Sequence, residues 1–263
     1  MPIELFADGR IELRVEEKVA RLSINRPEKR NAMSRAMWRG MVDACQSIAR
    51  HPQIRVVVLA GTGANFCSGA DISEFSDVYA SDQSTESFNE DYAAAETAVH
   101  DLQTPVIAEI RGACYGGGLG LALAADLRFA DESVQVAVTA SKLGIAYSAH
   151  DAARLIEKIG ATHAKDMLFS ARSVQAAEAF SWGLLDRVAP PKDLSLLVMS
   201  YARDLVARSP ASLRAMKHIL NTLMEPDAER CMKLRPAYSE LFRGPDLVKG
   251  AKAFLEKREP VFD

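Results

Sequence analysis

Cysteine is scarce in this sequence and widely scattered. Cys45, Cys67, Cys114 and Cys231 stand far apart and form no C-x-x-C pair, so they read as buried small residues in a reduced compartment. The five histidines are equally dispersed, without the spacing of a ligand set, and no metal is expected. Excess charge is lacking too. The formal net charge is −3 and the sequence pI is near 6.0, with acidic and basic residues interspersed, which removes the electrostatic footprint of a nucleic-acid binder. No apolar run approaches membrane-spanning length. The opening Met1-Pro2-Ile3-Glu4-Leu5-Phe6-Ala7-Asp8 lacks the charged-then-apolar layout of a secretory leader. A soluble, cytoplasmic protein without a nucleic-acid or membrane partner is the expectation.

What is present is enough apolar material for a sizeable core. The 263 residues are 48% hydrophobic, sufficient for one large core plus an appended helical piece. Ile11 to Val15 and Val19 to Ile24 alternate apolar and polar residues, predicting a hairpin of half-buried strands. Ser34 is a good N-cap for a helix whose face carries Met37, Met41, Cys45 and Ile48. Arg55 to Ala60 and Thr104 to Ile110 read as buried strands, as do Leu127 to Ala130 and Val134 to Val138. The alternation of strands and helices predicts a layered α/β domain over residues 1–191. From Ser73 to Asn89 the composition turns to Ser, Asp, Glu and Gln, predicting a mobile loop that leads into a helix from about Asp91 to Leu102. Ala152 to Ile159, Thr162 to Phe169 and Val174 to Trp182 read as helices, the last stopped by Gly183. Residues 192–263 read as helical throughout, with proline opening helices at Pro210 and Pro245, the latter carrying Val248, Ala251, Phe254 and Leu255.

The run from Arg111 to Asp126 is the stretch around which the rest is arranged. A short apolar strand leads into Gly116-Gly117-Gly118, and Leu119 to Ala125 follows as a small, apolar helix. Consecutive glycines permit positive φ and leave no β carbon between a ligand and the amides. Unpaired N–H groups at such a helix start attract an anion or a developing oxyanion. The glycine spacing is neither G-x-G-x-x-G nor a G-K-[ST] ending, which favours a polarised carbonyl over a phosphate; tight helix–strand packing is the other reading. Asn65 to Ile72, after the Val56 strand, is a second strand-to-turn unit. Two such turns could aim one amide each at a single oxygen. No G-x-S-x-G elbow exists around Ser68, so a serine hydrolase is not expected.

Asn25-Arg26-Pro27, Asn31-Ala32-Met33, Phe66 to Ile72 and Gly112 to Asp126 together resemble the enoyl-CoA hydratase/isomerase (crotonase) family, and the similarity extends through Ala179 to Val188. The resemblance implies a crotonase-like α/β fold of repeated ββα units with a C-terminal helical extension that serves oligomerisation, as a homotrimer or a dimer of trimers, and covers the CoA pocket. It implies an acyl-CoA substrate, with coenzyme A present only as part of the thioester and no separate cofactor. It places oxyanion donors at the amides of Ala70 and Gly117, and CoA-ester contacts at Arg26, Lys29, Arg30, Ser68, Ala70, Asp71, Ile72 and Gly116. The two catalytic glutamates of family hydratases fall at Gly120 and Ala140, and neither is a carboxylate here. His150, Asp151 and Tyr115 are the candidates for acid/base work; capping or packing roles are the alternative for each. The resulting expectation is enolate stabilisation followed by a hydratase, isomerase or lyase outcome, with decarboxylation, C–C cleavage or simple acyl-CoA binding as alternatives.

Overall fold

The computed structural model describes residues 3–78, 80–224 and 244–258; Cys231 lies outside them. Alternating burial makes the first elements. In β2 (Ile11–Glu16) the residues Ile11, Leu13 and Val15 face inward and the intervening ones outward, and β2 pairs antiparallel with β3 (Val19–Ile24) from Ile11↔Ile24 to Glu16↔Val19. This is the predicted hairpin, with β1 (Glu4–Phe6) added on its edge. From β3 onward the pairing is parallel: β4 (Val56–Gly61), β5 (Val106–Ile110), β7 (Leu127–Asp131) and β10 (Arg187–Ala189) complete a seven-stranded sheet in the order β1-β2-β3-β4-β5-β7-β10. β4 and β5 are buried almost throughout, as strands covered on both faces must be. A small second sheet, β6-β8-β9, comprises Ala113–Tyr115, Gln135–Ala137 and Val174–Gln175.

Helix α1 (Arg35–Arg50) begins at Ser34, whose side chain accepts from the Met37 amide, and it buries Met37, Met41, Cys45 and Ile48 as its apolar face predicts. Helix α2 (Phe75–Val78) and then α3 (Asp82–His100) follow. Here the expectation of a mobile polar loop fails. Ser81 and Ser84 form a reciprocal capping box, and the polar stretch is the first half of α3, with Thr85 and Phe88 buried three residues apart on its inner face. Solvent-facing residues dominate the composition of that half and hide its narrow apolar stripe.

Helix α4 (Gly117–Ala124) is buried along nearly its whole length. Helix α5 (Ala149–Ser170) runs through both predicted helices, which abut at Gly160 (φ 72°, ψ 163°), a conformation no helix interior holds. Val174–Gln175 belongs to the small sheet, so only Ala176–Ser181 of the next prediction is helix, α6. Helix α7 (Leu194–Val206) lays Leu194, Val198 and Ala202 on the second face of the main sheet, against Val56, Val58, Ile107 and Phe129. Helix α8 (Pro210–Met224) is pinned by Lys217, which donates to Asp126 Oδ2 at 2.9 Å. Helix α9 (Pro245–Leu255) seats Leu247 against Phe75 and Leu143, whereas Val248, Phe254 and Leu255 are exposed. The last helix is therefore where the sequence puts it, turned so that a different face is buried.

Candidate active site

Two turns are laced together at the ends of β4 and β5. Phe66 N–H donates to Arg111 O (2.7 Å), Cys67 N–H to Ala113 O (3.0 Å), and Tyr115 N–H returns a bond to Cys67 O (2.9 Å). Ser68 N–H donates to Arg30 O (3.0 Å) and Asp71 N–H to Met33 O (2.8 Å), while Met33 N–H donates to Gly69 O (2.8 Å). Nearly every amide around the first turn is thus committed. Among the described residues Ala70 N–H has no protein acceptor, and neither has Gly117 N–H. Gly117 is the first residue of α4, where no carbonyl of the same helix can reach its amide.

Close approach of the turns explains the glycines at their contact. Gly69 has φ 97°, and a β carbon there would stand 2.9 Å from Tyr115 O and 3.6 Å from the Gly117 nitrogen. A β carbon on Gly118 would collide with the Cys67 carbonyl. Tyr147 Oη donates to Gly116 O (3.2 Å), holding the second turn from across the cleft. Ala70, Gly116 and Gly117 line a cleft whose walls include Ile72, Phe75, Phe88 and Leu143. The arrangement offers two unpaired donors on residues lining one largely apolar cavity, fit to hold a carbonyl oxygen as it gains charge.

The remaining predicted residues distribute around this cleft unevenly. Ser68 and Ile72 line it. Lys29 and Arg30 are exposed, their carbonyls accepting from Ser68 Oγ (3.4 Å) and Ser68 N–H, and neither is part of the cleft lining. Arg26 is elsewhere engaged: Nη1 donates to Asp71 Oδ2 at 2.6 Å and to Ala32 O at 3.2 Å, with only 11% of its side chain exposed. Asp71 also accepts from the Ser73 amide and hydroxyl. Burial works to raise its carboxyl, but the Ser73 bonds and Arg26 outweigh it and hold Asp71 below the usual carboxylate range. The pair fastens the residue next to Ala70. Tyr115 Oη donates to Gln135 Oε1 (2.8 Å), and neither Tyr115 nor His150 is part of the cleft lining. Burial, and then Arg154, push His150 below its ordinary value.

Asp151 lies completely buried beneath the cleft and is drawn into a cluster that the sequence did not disclose. Its Oδ2 accepts from Tyr92 Oη (2.7 Å) and Ser148 Oγ (2.7 Å), while Ser148 Oγ caps α5 by accepting from the Asp151 amide (3.0 Å). Glu96, 1% exposed, stands one turn along α3 from Tyr92, and Arg154 Nη1 is 3.9 Å from its Oε2. Burial and then the charge of Asp151 push Glu96 well above the usual carboxylate range, and the same two causes raise Tyr92 well above the usual phenol range. Tyr92 lines the cleft and packs edge-on against Trp38, with centroids 4.9 Å apart. The signal in the sequence was an i, i+4, i+7 stripe of Tyr92, Glu96 and Val99 on α3, which puts a carboxylate on an apolar helix face.

A family model described as enoyl-CoA hydratase/isomerase matches residues 14–263 of the chain. YngF of Bacillus subtilis, which carries the same family name, is 36% identical over 248 residues, covering 94% of this chain and 95% of that protein. The mitochondrial Delta(3,5)-Delta(2,4)-dienoyl-CoA isomerase of Rattus norvegicus is 30% identical over 256 residues, or 93% of this chain and 78% of that one. A crystal structure of an enoyl-CoA hydratase/carnithine racemase from Magnetospirillum magneticum superposes with a TM-score of 0.80 at 31% identity, covering 97% and 95% of the two chains.

Proposed function

This chain belongs to the enoyl-CoA hydratase/isomerase family and has its crotonase fold, and from that premise we propose that it binds an acyl-CoA thioester with the carbonyl oxygen between the amides of Ala70 and Gly117 and stabilises the enolate that forms there. The observation that carries this reading is that these two N–H groups, both from residues that line one cleft, have no acceptor among the described residues. One such donor contributes about 3 kcal/mol to the rate of acyl chemistry. Lys29 and Arg30, exposed on the chain beside Ser68, supply positive charge for the phosphates of CoA. Coenzyme A belongs to the substrate, and no other cofactor is required.

The positions that carry glutamates in family hydratases are Gly120 and Ala140. Addition of water by two carboxylates, one on α4 and one on the turn before α5, is therefore absent from the proposed chemistry, and proton movement at the enolate is favoured. Assembly as a trimer or dimer of trimers accords with the exposed face of α8, where Met216, Ile219, Leu220 and Leu223 lie more than half in solvent. Steady-state assays with crotonyl-CoA and a panel of β-functionalised and unsaturated acyl-CoA esters test the function. Slow hydration of crotonyl-CoA with turnover of another panel member is the expected outcome. Hydration near the diffusion limit would overturn the assignment of chemistry, and tight binding without any turnover would make the protein an acyl-CoA binder.

A further inference from the structure

The enolate needs a partner that takes and returns a proton, and α4 does not provide one. A β carbon on Gly120 would overlap Glu96 Oε1 and stand 2.8 Å from Tyr92 Oη. The space that a side chain at position 120 would fill is occupied by the carboxyl of Glu96 and the hydroxyl of Tyr92, both reaching over from α3. We propose that Tyr92, backed by Glu96 and Asp151, exchanges the proton with the substrate carbon next to the thioester carbonyl, in place of a carboxylate on α4. This rests on the enolate reading above.

Two observations carry the assignment. Glu96 Oε1 and Asp151 Oδ1 are buried and have no hydrogen-bond partner among the described residues, and Glu96 Oε1 and Tyr92 Oη converge on the same point beside Gly120. Like charges so close in a buried cluster disfavour ionising both acids, and burial and then Asp151 push Glu96 well above the usual carboxylate range. Asp151 Oδ2 meanwhile accepts from Tyr92 and Ser148, so the phenol's proton already points at a carboxylate oxygen. Of the three, Tyr92 alone reaches the cleft lining. It is the group placed to touch substrate; Glu96 and Asp151 are positioning residues.

The step balances without any co-reactant. When the α C–H bond breaks, its electron pair passes into the enolate held at Ala70 and Gly117. The proton goes to the Tyr92 oxygen as the phenol's own proton moves to Asp151 Oδ2. Glu96 remains protonated, and both carboxyls are then neutral, which suits their burial. Return of the proton, to the same carbon or to a conjugated one, reverses each movement and restores the charge on Asp151. A group of this kind serves double-bond migration, which removes and replaces one proton, better than hydration.

The test is hydrogen–deuterium exchange in heavy water at the α carbon of saturated acyl-CoA esters of four to ten carbons, with affinity measured by calorimetry on the same samples. The whole protein should wash out the α hydrogen. Tyr92→Phe and Asp151→Asn should each slow exchange by about 100-fold or more and leave affinity within about twofold. Glu96→Gln should displace the pH profile of exchange, whose titrating groups are Tyr92 and Glu96 on α3, Asp151 and Arg154 on α5, and Tyr147 on the loop before it. If a variant fails to fold, 3,5-difluorotyrosine at position 92 fits the same space and should move that profile to lower pH. Exchange by Tyr92→Phe at the parent rate, or an unmoved profile with the fluorinated residue, would overturn the role of Tyr92 while the enolate reading stands. Failure of the parent protein to bind any ester would overturn the acyl-CoA reading itself.

Discussion

Gly120 is the position where the described geometry makes its sharpest demand, and alanine there is the perturbation that tests it. In an exposed helix interior, Gly→Ala stabilises by about 1 kcal/mol through backbone entropy. Here the new methyl group would overlap Glu96 Oε1 and lie 2.9 Å from Glu96 Cδ. Glu96 is 1% exposed and cannot swing into water, so accommodating the methyl means overpacking at about 3 kcal/mol. The net is about 2 kcal/mol of destabilisation. Once Glu96 is shortened to alanine the obstruction is gone, and the same Gly120→Ala change should stabilise by its intrinsic 1 kcal/mol or so. The double-mutant cycle therefore carries a coupling of about 3 kcal/mol, well beyond the few tenths within which independent sites add. For a chain of this size each kcal/mol is about 2–4 °C in melting temperature. Thermal midpoints at fixed protein concentration should thus fall by roughly 4–8 °C for Gly120→Ala alone and rise by roughly 2–4 °C when it is added to Glu96→Ala. Equal effects in both backgrounds would refute the claim that Glu96 fills the space beside Gly120.

Glu96 should also leave its mark on the pH dependence of stability. Its folded-state pKa is raised by burial and then by Asp151, so its contribution is full below the unfolded value of about 4.3 and is lost as pH rises through the folded value. The stability of the parent relative to Glu96→Gln should fall by up to about 1.4 kcal/mol per pH unit across that window; parallel urea-denaturation curves at all pH values would contradict the assignment. Asp71 works in the opposite sense. Its depressed pKa makes a contribution present above the unfolded value of about 3.9 and lost as pH falls through the folded one. Arg26→Met should cost about 3 kcal/mol, because it strands the buried Asp71 carboxylate, while affinity for free CoA stays within about twofold. A large loss of CoA affinity with stability intact would instead make Arg26 a phosphate ligand.

Sequence patterns disclosed much of this architecture because they follow the physics that builds it. The alternation in Ile11 to Ile24, the apolar runs at Val56 and Val106 and the helix face of Met37, Met41, Cys45 and Ile48 each report a burial period directly. The glycine turn was equally legible, since Gly69 and Gly118 are demanded by contacts in which a β carbon has no room. Where a narrow buried stripe lies under a polar majority, as in Ser81 to Phe88, composition misled and the first half of the helix was missed. The exposed Val248, Phe254 and Leu255 show the converse: an apolar helix face says that a face exists, and the docking partner decides which one is covered. The Tyr92, Glu96 and Asp151 cluster was hidden for a third reason. Its members come from α3 and α5, and their meeting beneath α4 is a product of tertiary packing that local spacing does not encode.

Vibrational spectroscopy of a bound thioester would show whether the Ala70 and Gly117 amides hold its carbonyl oxygen. With a carbon-13 label in the carbonyl of a bound acyl-CoA, difference infrared spectra report the polarisation of that bond. Two converging amides should shift the carbonyl stretch to lower wavenumber than in water, and replacing the Ala70 amide by an ester, which removes one N–H and leaves the methyl in place, should undo about half of the shift and lower kcat by about 100-fold or more. A carbonyl band unmoved on binding, or one indifferent to the loss of the Ala70 N–H, would contradict the account.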